Sequence, residues 1–328
     1  MTLAAAPRAL VDASGQPALG RFQGLATSID WAALAPPLRR SAWWRHFHHK
    51  RWHYAALACD EVFCGVAIVD LGWTSTAFAY AFERRSGRMA AAFSQDGLPG
   101  LGARVAAHAG GDSRFRFPGL DMALTSAGPG AYALSLRRRG FEIDAHFAGA
   151  TPHLLAVGTV AGGAVHATQK SAGMALRGEL RLGARRIALD GGVASVDYSN
   201  GLLARATDWR WACAHSLTLG FNLQAGYFGA NENALWLDGQ PIALGAAAFS
   251  FDAAAPLSPW QVRTDDGLLD LQFQPEGVRR QDKHLLVAAS RYVQPIGTFS
   301  GWVRARPDGP KVPVSGLPGV TEDHRSLW

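Results

Sequence analysis

The feature that most constrains this chain is strict alternation of apolar and polar residues in several separate segments. Residues 141–147 place Phe141, Ile143, Ala145 and Phe147 at odd positions and Glu142, Asp144 and His146 between them. Residues 269–273 repeat the pattern, and 114–117 and 132–137 are shorter versions. A period of two with one apolar face predicts half-buried antiparallel strands. Turn chemistry agrees. Asp-Gly pairs stand at 96–97, 190–191, 238–239, 266–267 and 308–309, and such pairs tolerate the positive φ of tight hairpins. Asp238-Gly239, between the apolar segments 234–237 and 240–244, is the strongest hairpin signal. Helical periodicity is scarce; residues 31–47 are the best candidate, interrupted by Pro36-Pro37. The expected fold is all-β, with two lipocalin-like antiparallel barrel or sandwich lobes and few short helices.

At 328 residues, 48% hydrophobic and 18% charged, the chain lies far from a disordered composition and is long enough for two domains. Five of its eleven tryptophans fall by Trp73 and the other six begin at Trp209. A division within 170–183 makes comparable halves, an N-terminal β lobe over 1–175 and a C-terminal one over 176–328. No stretch approaches the roughly 18 uncharged apolar residues of a membrane span, and residues 1–16 lack the apolar core of a signal peptide. A soluble, cytoplasmic protein without an integral membrane segment is the expectation.

The formal charge of +6 raises the question of nucleic acid. Its basic runs, 45–53 and 137–139 chief among them, are short and scattered, and no RNA-binding or zinc-finger signature accompanies them, so no nucleic-acid partner is expected. Cys59, Cys64 and Cys213 read as free thiols, with Cys59 and Cys64 on opposite sides if they share a strand. No metal site is expected, since the histidines of 45–53 lack a second pair at ligand spacing. Residues 158–163 miss the GxGxxG spacing, and neither a phosphate-binding loop nor a GxSxG elbow occurs, so no cofactor is expected.

Several runs carry a resemblance. They are Lys50-Arg51-Trp52-His53-Tyr54, Asp70-Leu71-Gly72-Trp73, Thr168-Gln169-Lys170, Asp197-Tyr198-Ser199-Asn200-Gly201 and Thr207-Asp208-Trp209-Arg210-Trp211-Ala212. Further on come 221–223, 232–239, 273–275 and 292–297. In this order and spacing the chain resembles the DUF2804 family of unknown function across roughly residues 50–300. The resemblance extends, distantly, to a calycin-like group built from two lipocalin-type barrels, which includes carotenoid 1,2-hydratases and Diels–Alder-type cyclisation catalysts. In the hydratase-like members an aspartate-aromatic-polar-tryptophan run lines the cavity between domains, and 208–211 is loosely similar to it.

On a strand through 207–213, Thr207, Trp209, Trp211 and Cys213 share one face and Asp208, Arg210 and Ala212 the other. Tryptophans facing inward wall an apolar ligand; Asp208 and Arg210 facing inward anchor a polar one. Paired indoles also serve as plain core, and Asp208 with Arg210 as a solvated ion pair. Asp197 reads as an Asx-turn cap or a cavity carboxyl, and Glu232 as a strand-entry cap or a carboxyl at a cavity mouth. The aromatics of 43–54 read as packing between the halves, with a lid or rim as the alternative. The candidate acids are therefore Asp208, Glu232 and Asp197, and the candidate ligand contacts Trp209, Arg210, Trp211, Asn233 and Trp236. Two functions follow: binding of a hydrophobic lipid, terpenoid or fatty-acyl molecule, or hydration, isomerisation or cyclisation of an unsaturated one by carboxyl acid–base chemistry.

Overall fold

The computed structural model describes residues 3–98, 101–284 and 288–328. The chain is nearly all β, with few short helices. Among the described residues the strands form two sheets, one of sixteen strands within 4–202 and one of nine within 206–327. Pairing is antiparallel throughout the nine-stranded sheet. The expected hairpin at Asp238-Gly239 forms with Leu237 opposite Gln240, and φ is positive at both turn residues, +49° and +76°.

The first sheet branches at Val193–Leu202, which pairs with Val165–Lys170 and also with His49–Ala58. Val62–Asp70, Ser75–Glu83 and Arg88–Gly97 continue the His49–Ala58 arm. The two arms curl around one core, in which Ala55, Val66 and Ala77 of the first arm meet Leu134, Ile143 and Leu176 of the other. The second sheet encloses its own core, with Ala212, Phe221, Leu271 and Phe299 within it. A third apolar layer lies between the sheets, where Tyr54, Phe63, Tyr80 and Phe82 face Trp211, Cys213, Ile296 and Val320.

That third layer explains three strands that do not alternate. His49–Ala58, Val62–Asp70 and Ser75–Glu83 present one face to the first core and the other to the second sheet. Burial on both faces replaces alternation with a continuous apolar run, and alanines at Ala55, Ala56, Ala67, Ala77 and Ala79 let the layers approach.

Positions 175 and 176 both lie in the strand Met174–Leu182 of the first sheet, and the chain changes sheet between Leu202 and Ala206. The helical candidate resolves into a 3₁₀ turn, Trp31–Ala33, and an α-helix, Ala42–His48, separated by the proline pair. Ser41 caps the helix by accepting from the Trp44 amide. Cys59 and Cys64 do not share a strand; Cys59 lies in the turn before Val62–Asp70 and Cys64 within that strand. Among the described residues no helix is long and apolar enough to cross a membrane.

Candidate functional site

A cavity of about 430 Å³ opens between the two sheets. Its first-sheet wall includes Trp52, Tyr54, Val69 and Phe78, and its second-sheet wall Trp209, Trp211 and Tyr292. The strand Ala206–His215 turns its tryptophans toward this space, while Ala212 and Ala214 fill the core behind it. Aromatic pairs form across the gap. Trp52 stacks on Trp209 at 6.4 Å, and Tyr54 meets Trp211 edge-on at 5.9 Å. Each indole N–H has a fixed acceptor, Glu322 Oε1 for Trp209 and Asn222 Oδ1 for Trp211, both at 2.8 Å.

The charged centre joins the two sheets. Lys170 and Asp197 are cross-strand partners in the first sheet, and the Lys170 ammonium lies 2.6 Å from Asp197 Oδ2. Glu232 arrives from the loop between Leu219–Gly226 and Ala234–Leu237, and its Oε2 lies 2.9 Å from the same ammonium. Asn222 holds that loop by donating from Nδ2 to the Glu232 carbonyl at 3.0 Å. All three charged side chains are buried or nearly so. Burial pushes the Asp197 carboxyl up to about 6, with Lys170 opposing and the Glu232 charge reinforcing the rise. Lys170 stays above its ordinary value despite burial, because two carboxylates face it.

Two further groups complete the floor. Glu322 accepts from Trp209 and, at 3.0 Å, from Gln294 Nε2; Gln294 in turn accepts from the Tyr80 hydroxyl at 2.8 Å. His324 Nε2 lies within 2.9 Å of the Ser290 and Ser326 hydroxyls, its ring 4.1 Å from Trp209. Gln224 lines the cavity with both side-chain polar atoms buried and unpartnered, and Asp197 Oδ1 is likewise without a hydrogen-bond partner. Such orphaned groups are costly unless a ligand or water completes them.

Of the residues singled out from sequence, the structure brings together Asp197, Glu232, Trp209 and Trp211. Asp208 lies on the opposite strand face with its side chain 59% exposed, and Arg210 bridges it to Asp323. Asn233 is buried but structural, accepting from the Gln224 amide and donating to the Gly245 carbonyl. Trp236 packs against Leu154 and Ala172 and donates to the Pro152 carbonyl. None of these four lines the cavity. Residues 197–201 are not a turn; they run through Val193–Leu202, paired on both sides, so Asp197 is a strand residue rather than an Asx cap. In the aromatic segment 43–54, Trp52 and Tyr54 face the cavity, whereas Trp43 and Phe47 are exposed. Lys170, Glu322, Gln224 and Gln294 were not singled out as site residues. Their one signal is a polar residue within an otherwise buried strand.

The DUF2804 model matches residues 2–328, essentially the whole chain. The chain belongs to the DUF2804 family. A search among curated proteins finds no match. Among solved structures, this DUF2804 protein is similar to an AttH-like protein from Nitrosomonas europaea, with a TM-score of 0.54 and 12% identity over 86% of this chain and 92% of that one. Kievitone hydratase from Nectria haematococca also matches, with a TM-score of 0.48 and 10% identity over 87% and 90% of the two chains. At 12% identity the likeness to the AttH-like protein is one of fold, and at 86% of the DUF2804 chain it takes in both sheets.

Proposed function

We propose that this protein takes an unsaturated hydrophobic small molecule into the cavity between its sheets and catalyses a proton transfer to it, as a hydratase, isomerase or cyclase does. The observation that carries this reading is the pairing of two buried carboxyls, Asp197 and Glu232, with a single ammonium beneath an aromatic wall. Burial, reinforced by the neighbouring Glu232 charge, raises the Asp197 carboxyl to about 6, so it holds a proton at mildly acidic pH. Asp197 is then the acid. Its O–H bond breaks as a C–H bond forms at the double bond, and Lys170 stabilises the carboxylate left behind. The faces of Trp52, Trp209 and Trp211 favour the developing positive charge. Loss of a proton from the adjacent carbon, or from a water added there, to Glu232 completes isomerisation or hydration and restores the proton to the pair.

Carriage without reaction is the second reading, favoured by the aromatic walls and the unpartnered Gln224 amide, which serve binding whether or not chemistry follows. Incubation in D₂O with a panel of unsaturated fatty acids, prenols and terpenes separates the two. Mass spectrometry is expected to find deuterium in at least one panel member with the wild type, and a rate about a hundredfold or more lower with Asp197→Asn and with Glu232→Gln. Undiminished exchange in both variants overturns the assignment of the acids. A compound bound and returned without deuterium replaces catalysis by carriage.

A further inference from the structure

A buried arginine in the same cavity has no part in the proton chemistry. Arg279 lies on the strand Leu269–His284, whose first half sends Leu269, Leu271 and Phe273 into the core of the second sheet. An extra residue between Pro275 and Gly277 shifts the pairing register. Beyond this bulge the odd-numbered residues turn to the other face, and Arg279, Gln281 and Lys283 line the cavity.

Arg279 is only 7% exposed. Its guanidinium lies against two neighbouring rings, 4.0 Å from the centre of Phe78 on the first sheet and 4.7 Å from that of Tyr292 on the second, the ring centres themselves 6.1 Å apart. A guanidinium carries five N–H donors. One of them has an acceptor, Gln281 Oε1 at a long 3.4 Å. No carboxylate of the described residues lies within 4.0 Å of it, and the remaining residues include no acid. Arg51, Arg114, Arg137 and Arg185 all lie further out, and all have carboxylate partners. Among the described residues Arg279 is the one arginine that is buried, and it is buried without a carboxylate partner. Uncompensated burial of a charge costs several kcal/mol, while a buried guanidinium with one long hydrogen bond is prepared for a bidentate carboxylate.

We infer that the ligand of this cavity is an apolar molecule bearing a carboxylate, which Arg279 receives, with the apolar part lying along the aromatic walls. This rests on the hydrophobic-ligand reading above and names the ligand's class. The neighbouring cations are already engaged, Lys283 with Asp96 at the rim and Lys170 with its two carboxylates. One free guanidinium suits a single negative charge better than a doubly charged phosphate.

The test is a fluorescence titration at pH 8 with cis-parinaric acid and with the alcohol of the same polyene chain. The wild type is expected to bind the acid about tenfold or more tightly than the alcohol. Arg279→Gln removes that preference, bringing the acid's affinity down to the alcohol's. Arg279→Lys keeps the charge but not the planar fork and lowers the ratio. Equal affinities in the wild type, or a preference that survives Arg279→Gln, overturn the inference while leaving the cavity a hydrophobic site. Failure of both probes to bind overturns the hydrophobic-ligand reading and this inference with it. The wild-type comparison needs no variant, so it decides even where Arg279→Gln does not fold.

Discussion

Two lysines are buried in this molecule, and they are held by opposite means. Lys50 is fully inaccessible, donates to the carbonyls of Phe47 and Leu71 at 2.8 and 2.7 Å, and lies 5.6 Å from the ring centre of Trp328. Desolvation, opposed by Asp70, draws it down to about 8. Lys170 is nearly as buried but faces the carboxylates of Asp197 and Glu232, which hold it above its ordinary value. Lys50 demonstrates that this fold accommodates a buried ammonium whose hydrogen bonds go to carbonyls, with a single carboxylate, Asp70, acting from further away. The two carboxylates at Lys170 therefore exceed what burying a lysine requires. That surplus, at the floor of an aromatic cavity, is the physical case for proton chemistry there.

The comparison breaks or sharpens on substitution. Lys170→Met strands two buried carboxylates and is expected to cost ~3–5 kcal/mol, read as a lowered urea midpoint at constant slope. Lys50→Met removes a desolvated charge and leaves two carbonyls without a donor, so about 1–3 kcal/mol is expected. A larger loss at Lys50 than at Lys170 contradicts the contrast.

The pH dependence of stability is a smaller effect with a defined sign. Asp197 titrates near 6 when folded, against ~3.9 unfolded. The folded state thus holds a proton that the unfolded state has released, and this stabilisation is full below about pH 4 and lost as pH rises through about 6. Lys50 has the opposite sense. Between about pH 8 and ~10.4 the unfolded chain binds the extra proton, so its contribution makes stability rise with pH. Unfolding measured across pH should lose the acid segment in Asp197→Asn and the alkaline rise in Lys50→Met. Unchanged profiles contradict the two environments.

Much of the outer architecture was legible in the sequence, because strands such as Phe141–Ala148 and Ala131–Arg138 bury one face and alternate accordingly. The centre was not. His49–Ala58, Val62–Asp70 and Ser75–Glu83 are covered on both faces, so the period of two disappears where the cavity is built. Parity correctly separated Trp209 and Trp211 from Asp208 and Arg210, but parity is silent on which face turns inward; the tryptophans do. Asp197 and Glu232 were legible as candidate acids. Their shared partner Lys170 was not, since a charge in a strand does not reveal which distant carboxylates meet it. Arg279 was hidden by the bulge: counting in twos from Leu271 places it on the core face, and the extra residue reverses that.

The central claim, that the space between the sheets is a site for an apolar ligand, is tested most directly by what the protein carries. Small molecules released from natively purified wild type and from Val69→Trp, whose indole would fill the cavity beside Trp52, are to be compared by liquid chromatography and mass spectrometry. The account predicts a stoichiometric hydrophobic compound, unsaturated and acidic, from the wild type and none from the folded variant. A wild type that releases nothing above the buffer control, or equal yields from the two proteins, contradicts it.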